Sequence, residues 1–116
     1  MSKQPLLLRI DGVMKKVDPD EIMLLETAKN YVKFFSLNGS LMVRTTLEDA
    51  LLKLPADQFA QVHRSYVVSV NNINEISPDF LTLTGTDWTV PVSRQYYRKF
   101  MKRFTIIGSG FSDKKD

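Results

Sequence analysis

The 116-residue sequence predicts a mainly-β domain of small antiparallel sheets, with one short internal helix and a second helix near the C-terminus. Three observations carry this prediction. Short runs rich in β-branched and aromatic residues recur along the chain, Tyr31–Leu37 being the clearest. The dipeptides Asp11-Gly12 and Asn38-Gly39 fall between such runs, where two-residue hairpin turns belong. Helical periodicity appears only twice, too rarely for the alternating strands and helices of a parallel sheet.

The elements follow in order. Leu6–Asp11 and Val13–Asp18 flank the first turn dipeptide and predict a hairpin. Pro19-Asp20-Glu21 predicts a turn with helical character. Ile22–Thr27 is an apolar run bounded by polar residues, which predicts a buried strand, and Ala28-Lys29-Asn30 reads as a loop. Tyr31–Leu37 and Leu41–Arg44 predict a hairpin about Asn38-Gly39. Thr45 stands three residues before Glu48, the spacing of a capping box. Leu47, Ala50, Leu51 and Leu54 then share one face of a short helix that Pro55 ends, and that face is expected to close one side of a sheet.

Phe59–Val70 is ambiguous, because Val62, Tyr66, Val67 and Val70 suit a strand or a helical turn. Ile73–Ser77 and Phe80–Thr84 read as strands around Pro78-Asp79, and Trp88–Val92 as a strand after Gly85-Thr86-Asp87, with Trp88 a core anchor. Ser93 is a suitable N-cap for a helix running to about Phe104. In that helix Tyr97, Phe100, Met101 and Phe104 form the inward stripe. No repeat or linker interrupts the chain. Residues 1–107 are expected to form one domain and residues 108–116 a flexible tail.

Composition narrows the function. The chain is 43% hydrophobic and 25% charged, which suits a folded globular domain with material for one modest core. The absence of cysteine removes disulfides, thiol nucleophiles and cysteine-zinc sites, and His63 is the single histidine. No cofactor or metal is expected. No apolar run reaches the roughly 18 residues of a membrane helix, and the N-terminus does not read as a signal peptide. A cytoplasmic location with no membrane partner is therefore expected. There is no G-x-S-x-G, P-loop or G-x-G-x-x-G, and neither His63-Arg64-Ser65 nor the turn acids Asp18, Asp20 and Glu21 propose a positioned acid-base constellation. An enzyme is not expected.

The net charge of +3 is unevenly placed. Residues 1–60 hold eight cations and eight acids, whereas residues 61–116 hold eight cations and five acids. Arg94, Arg98, Lys99, Lys102 and Arg103 crowd together with no acid among them, which suits a polyanion or a solvated helix face. Arg94 sits in a first helical turn, where a cation opposes the helix dipole, which suits a partner such as an acidic side chain or a phosphate, or equally a tolerated exposed arginine. Arginine's planar fork at Arg64 suits guanine's two major-groove acceptors or a phosphate, and His63 and Ser65 can bond phosphate oxygens. The same residues also suit a core segment with Arg64 in a surface ion pair. Asn30 suits a turn former as well as a base reader.

Three ordered motifs add to this reading. Ile22-Met23-Leu24-Leu25-Glu26-Thr27-Ala28-Lys29-Asn30-Tyr31-Val32 comes first. Phe59-Ala60-Gln61-Val62-His63-Arg64-Ser65-Tyr66-Val67-Val68 follows, with Ile73 and Ile76 after it. Val90-Pro91-Val92-Ser93-Arg94 with Tyr97 comes last. In register, over residues 6–104, they resemble the LytTR DNA-binding domain family of bacterial transcriptional regulators. The resemblance implies an elongated arrangement of small antiparallel sheets whose loops enter successive major grooves of double-stranded DNA. It implies base contacts from Asn30 or Tyr31, from Arg64 and from Arg94, with support from Lys29, His63, Ser65 and Ser93. Lys29, Lys99 and Lys102 would add phosphate attraction, and Arg98 lies on the same helical stripe as Arg94 and Lys102. It further implies tandem direct repeats as targets, read by a protein that is monomeric in solution with two copies meeting on DNA. The residues leave two rivals. One is an interaction module whose Arg94–Arg103 face binds an acidic partner. The other is RNA binding, disfavoured because the aromatics fall at core spacing.

Overall fold

The computed structural model describes residues 4–108. Ten strands and two α-helices occur among them, every strand pairing is antiparallel, and the molecule is elongated, 53 × 34 × 26 Å. The expected tail lies outside the described residues from Ser109 onward.

The first hairpin joins β1 (Leu6–Ile10) to β2 (Val13–Val17). Asp11 and Gly12 take φ of +50° and +81°, the two left-handed positions that match strand twist in a two-residue turn. A 3-10 turn over Pro19–Glu21 follows. Its cap, Asp18, accepts from the Asp20 N–H at 2.9 Å, while Glu21 accepts from the Asp18 N–H at 3.3 Å.

Next come β3 (Leu24–Ala28), β4 (Tyr31–Ser36) and β5 (Gly39–Val43). The expected loop at Ala28–Asn30 is a tighter, two-residue turn at Lys29-Asn30, since Ala28 pairs with Tyr31. The turn expected at Asn38-Gly39 closes one residue earlier, at Leu37-Asn38. Ser36 Oγ accepts from the Asn38 N–H and donates to the Gly39 carbonyl, both at 3.2 Å, and Gly39 opens β5 at a φ of +138° that side-chain-bearing residues avoid.

Helix α1 (Leu47–Lys53) is capped one residue later than expected. Thr46, not Thr45, accepts the Asp49 N–H at 3.0 Å, and the Thr45 hydroxyl donates to the Asp49 carboxylate instead. The ambiguous segment is two strands, β6 (Phe59–His63) and β7 (Tyr66–Ser69), joined at Arg64-Ser65 with a bulge between Gln61 and His63. A second 3-10 turn, β8 (Ile73–Ile76), β9 (Phe80–Leu83) and β10 (Thr89–Pro91) lead to α2 (Arg94–Met101). This last helix is shorter than expected. Arg103 and Phe104 continue it only as tighter i→i−3 turns.

A central five-stranded sheet, ordered β5-β4-β3-β7-β6, is covered on both faces. Leu25 pairs with Val67 and faces α1 and the first hairpin, in a core with Val32, Phe34, Leu47, Ala50, Leu54 and Phe59. Leu24 pairs with Val68 and faces the three-stranded sheet β10-β9-β8 and α2, in a core with Leu81, Leu83, Val90 and Phe100. One core was expected and two are present, because a sheet buried on both faces divides its apolar residues by their alternation. Trp88 is half-buried and meets Phe35 edge-on at 5.5 Å, so it borders the second core rather than anchoring its centre.

Candidate nucleic-acid interface

Strands β3 and β6 run toward the same end of the central sheet, and β4 and β7 leave it. The turns Lys29-Asn30 and Arg64-Ser65 therefore share that end, here the tip. The Thr27 N–H donates to the Ser65 carbonyl at 3.1 Å and ties one turn to the other. The Ser93 N–H donates to the Val62 carbonyl at 2.9 Å and seats the start of α2 beside the end of β6. Segments more than 60 residues apart in the chain thus meet at one edge. Arg44 joins them, since it follows the Val32–Val43 pair at the end of β5. In spatial order the tip presents Arg44, Lys29-Asn30-Tyr31, Arg64-Ser65 and Ser93-Arg94. At ~4.8 Å between strands, the five-strand row is about 19 Å wide before α2 is added.

The side chains at the tip divide into those held and those left open. Lys29, Asn30, Arg44, Arg64 and Arg94 are exposed, and Tyr31 is 39% exposed. Lys29 occupies the left-handed region at φ +61°, at a cost on the order of 1 kcal/mol that glycine would not bear. His63 is half-buried. Its Nδ1 accepts the Ser65 N–H at 3.1 Å, which closes the turn beneath Arg64 and leaves the neutral ring's proton on Nε2. The ring meets Tyr66 edge-on at 5.4 Å. Tyr66 donates to Glu26 at 2.9 Å across the β3–β7 pair. That hydrogen bond raises the Tyr66 pKa above its ordinary 10.0, with burial and the carboxylate's charge adding to the effect. Glu26, the acid under the tip, is thereby engaged.

Ser93 caps α2 through its backbone: its carbonyl accepts from the Tyr96 and Tyr97 N–H groups at 3.1 and 3.0 Å. The side-chain cap expected of it is not made. Its Oγ is buried with no hydrogen-bond partner among the described residues.

The cations of the tip carry no ion pair among the described residues. Among the described residues the single ion pair is Lys53–Asp49, at 3.2 Å. Among the described residues Arg64, for which a surface ion pair was one option, has no carboxylate within that reach, and neither has Arg94 at the helix N-terminus. Their charges face solvent.

The helix cations do not all share this edge. Arg98 and Lys102 continue the Arg94 stripe at about 6 and 12 Å along the axis, at ~1.5 Å per residue. Lys99 instead lines a groove between α1, β6 and α2, together with Leu52, Gln61, Tyr96 and Arg103. Thus Lys29, Asn30, Tyr31, His63, Arg64, Ser65, Ser93 and Arg94 come together, Arg98 and Lys102 trail away, and Lys99 turns elsewhere. Arg44 escaped the sequence reading. A β4–β5 hairpin closed at Asn38-Gly39 would set Thr46, not Arg44, opposite Tyr31, and the one available signal was a lone arginine after a strand.

Residues 12–105 match the sequence profile of the LytTr DNA-binding domain. The sensory transduction protein LytT of Bacillus subtilis (strain 168) is 36% identical over 105 residues, which cover 87% of this chain and 44% of that protein. The transcriptional regulatory protein YpdB of Escherichia coli (strain K12) is 30% identical over 86 residues, 70% of this chain and 35% of that protein. The chain spans less than half the length of these relatives. A solved LytTr DNA-binding domain from Bacillus cereus superposes with a TM-score of 0.75 at 27% identity, covering 88% of this chain and 97% of that one. No helix among the described residues is long and apolar enough to cross a membrane. On the agreement of profile, relatives and fold, this chain belongs to the LytTr DNA-binding domain family.

Proposed function

We propose that the chain binds double-stranded DNA sequence-specifically through its tip and regulates transcription without catalysing a reaction. The carrying observation is the convergence of the turns at Lys29-Asn30 and Arg64-Ser65 with the Ser93-Arg94 cap, held by the Thr27–Ser65 and Ser93–Val62 hydrogen bonds. Arg64, Arg94 and either Asn30 or Tyr31 enter the major groove and read base edges, each arginine bidentate to guanine. Lys29, His63 through its Nε2 proton, Ser65, Ser93, Arg98 and Lys102 hold phosphates or support the readers. In this reading residues 1–107 are one DNA-binding domain, followed by a tail. It is monomeric in the bacterial cytoplasm, and two copies sit head to tail on tandem direct repeats.

The test starts from duplexes selected out of a random pool by the wild-type chain. Arg94→Ala is expected to lose about 1–3 kcal/mol of affinity for a selected duplex beyond its loss on a scrambled one. Equal loss on both would make Arg94 a phosphate contact. A second reading, docking of an acidic partner, draws on Lys99 and Arg103 lining one groove with no acid among its lining residues. Failure to select any duplex would favour it.

A further inference from the structure

The row of tip residues does not stop at the turn beside β4. Arg44 at the end of β5 lines two concave surfaces. One it shares with Lys29, Asn30 and Tyr31. The other lies between β1, β5 and α1, and there Arg44 shares the lining with Arg9, Leu7 and Met14. Arg9 pairs with Met14 across the first hairpin, so the two side chains stand together on its outer face, with Leu7 two residues away on the same side. The opposite face of this hairpin is spent on the core through Leu8, with Leu6, Ile10 and Val17 packed beside it. Arg9 and Arg44 are both exposed, and neither has a carboxylate partner among the described residues. One acid, Asp49, lines the same cleft, but Lys53 at 3.2 Å and the Thr45 hydroxyl at 3.4 Å already engage it. Two uncompensated guanidiniums therefore flank one cleft, continuous with the tip. β1 precedes the stretch that matches the family profile, which begins at residue 12.

We propose that Arg9 and Arg44 form an auxiliary phosphate clamp, carrying the DNA backbone past the Lys29-Asn30 turn and onto the outer face of the first hairpin. The inference rests on the DNA-binding reading above. Its ligand is the sugar-phosphate backbone, so the contribution is independent of base sequence. Each guanidinium neutralises one phosphate, and each lost contact removes about 0.9 from the slope of log affinity against log salt.

Binding of wild type, Arg9→Gln, Arg44→Gln and the double variant to a selected duplex and to a scrambled duplex tests this, by fluorescence anisotropy across a fourfold range of sodium chloride. Each single variant should flatten the slope by about 0.9 and the pair by about 1.8, equally on both duplexes. Over that range the double variant's affinity should then fall about twelvefold less than that of wild type. Arg9→Lys should restore the slope. Unchanged slopes in variants of wild-type melting temperature would overturn the clamp while leaving tip recognition standing. A wild-type chain that binds neither duplex would instead overturn the DNA-binding reading itself.

Discussion

The two ends of the central sheet use their polar residues in different proportions. At the far end, several polar side chains are consumed internally, although Lys15 and Lys16 stay exposed beside it and the Gln58 Oε1 finds no partner among the described residues. Asp18 and Glu21 cap a turn, Ser36 closes the Leu37-Asn38 turn, and buried Gln58 donates to Asp20 at 2.7 Å across 38 residues of sequence. At the tip, Lys29, Asn30, Arg44, Arg64 and Arg94 are exposed, and none of the cations has an ionic partner among the described residues. Both ends are built of tight turns joining antiparallel strands, so turn geometry does not distinguish them. The share of polar side chains spent on turn and core hydrogen bonds does. The polar groups paired at the far end contribute to holding the fold, and the row of free cations at the tip is available for a polyanion.

Substitutions at the two ends should therefore separate. Arg64→Ala is expected to cost about 1–3 kcal/mol on a selected duplex while moving unfolding stability by less than about 0.5 kcal/mol. Parallel binding and urea titrations would show this, and a comparable loss of stability would break the contrast. Gln58→Ala should do the reverse. Removing a buried amide bonded to a carboxylate should cost about 1–2 kcal/mol of stability and lower the melting temperature by several degrees, while binding per folded molecule stays intact. A smaller effect tests the support beneath the tip. Because the native Tyr66 pKa is raised above 10.0, the stability it contributes is present below that value. It is lost as pH rises through the native value, since the unfolded chain releases the proton first. Tyr66→Phe should flatten this alkaline decline in urea midpoints measured on either side of pH 10, and an unchanged decline would show that the Glu26 hydrogen bond does not govern it.

Much of the fold was legible in local chemistry. Asp11-Gly12 specified its hairpin, the Leu47, Ala50 and Leu54 stripe specified α1, and Pro78-Asp79 separated two strands. The failures share a physical cause. Val62, Val67 and Val68 are fully buried on a sheet covered on both faces, which erases alternation. The turn between them, Arg64-Ser65, carries neither glycine nor proline to mark it. The Leu37-Asn38 turn was misplaced by one residue because Ser36 supplied hydrogen bonds that no dipeptide rule includes. The Thr45 and Thr46 caps differ by a single register step, and both threonines find Asp49. The site was legible only through the three ordered motifs. Taken alone, the residues gave a basic helix and an ambiguous His-Arg-Ser segment. What unites positions 30, 64 and 94 is pairing between β3 and β7 and between Ser93 and Val62, and such long-range pairing has no local signature.

The interleaved strand order β5-β4-β3-β7-β6 bears on when the molecule becomes competent. Arg64 is delivered beside Asn30 only after β7 docks on β3, and Arg94 only after the later sheet is threaded and α2 settles on β6. These are non-local closures, the slow class of folding event. A chain still emerging from the ribosome, or a fragment ending before position 93, would hold one or two turns but not the assembled edge. The edge proposed to read DNA is thus a late product of folding, and half-made copies would lack it.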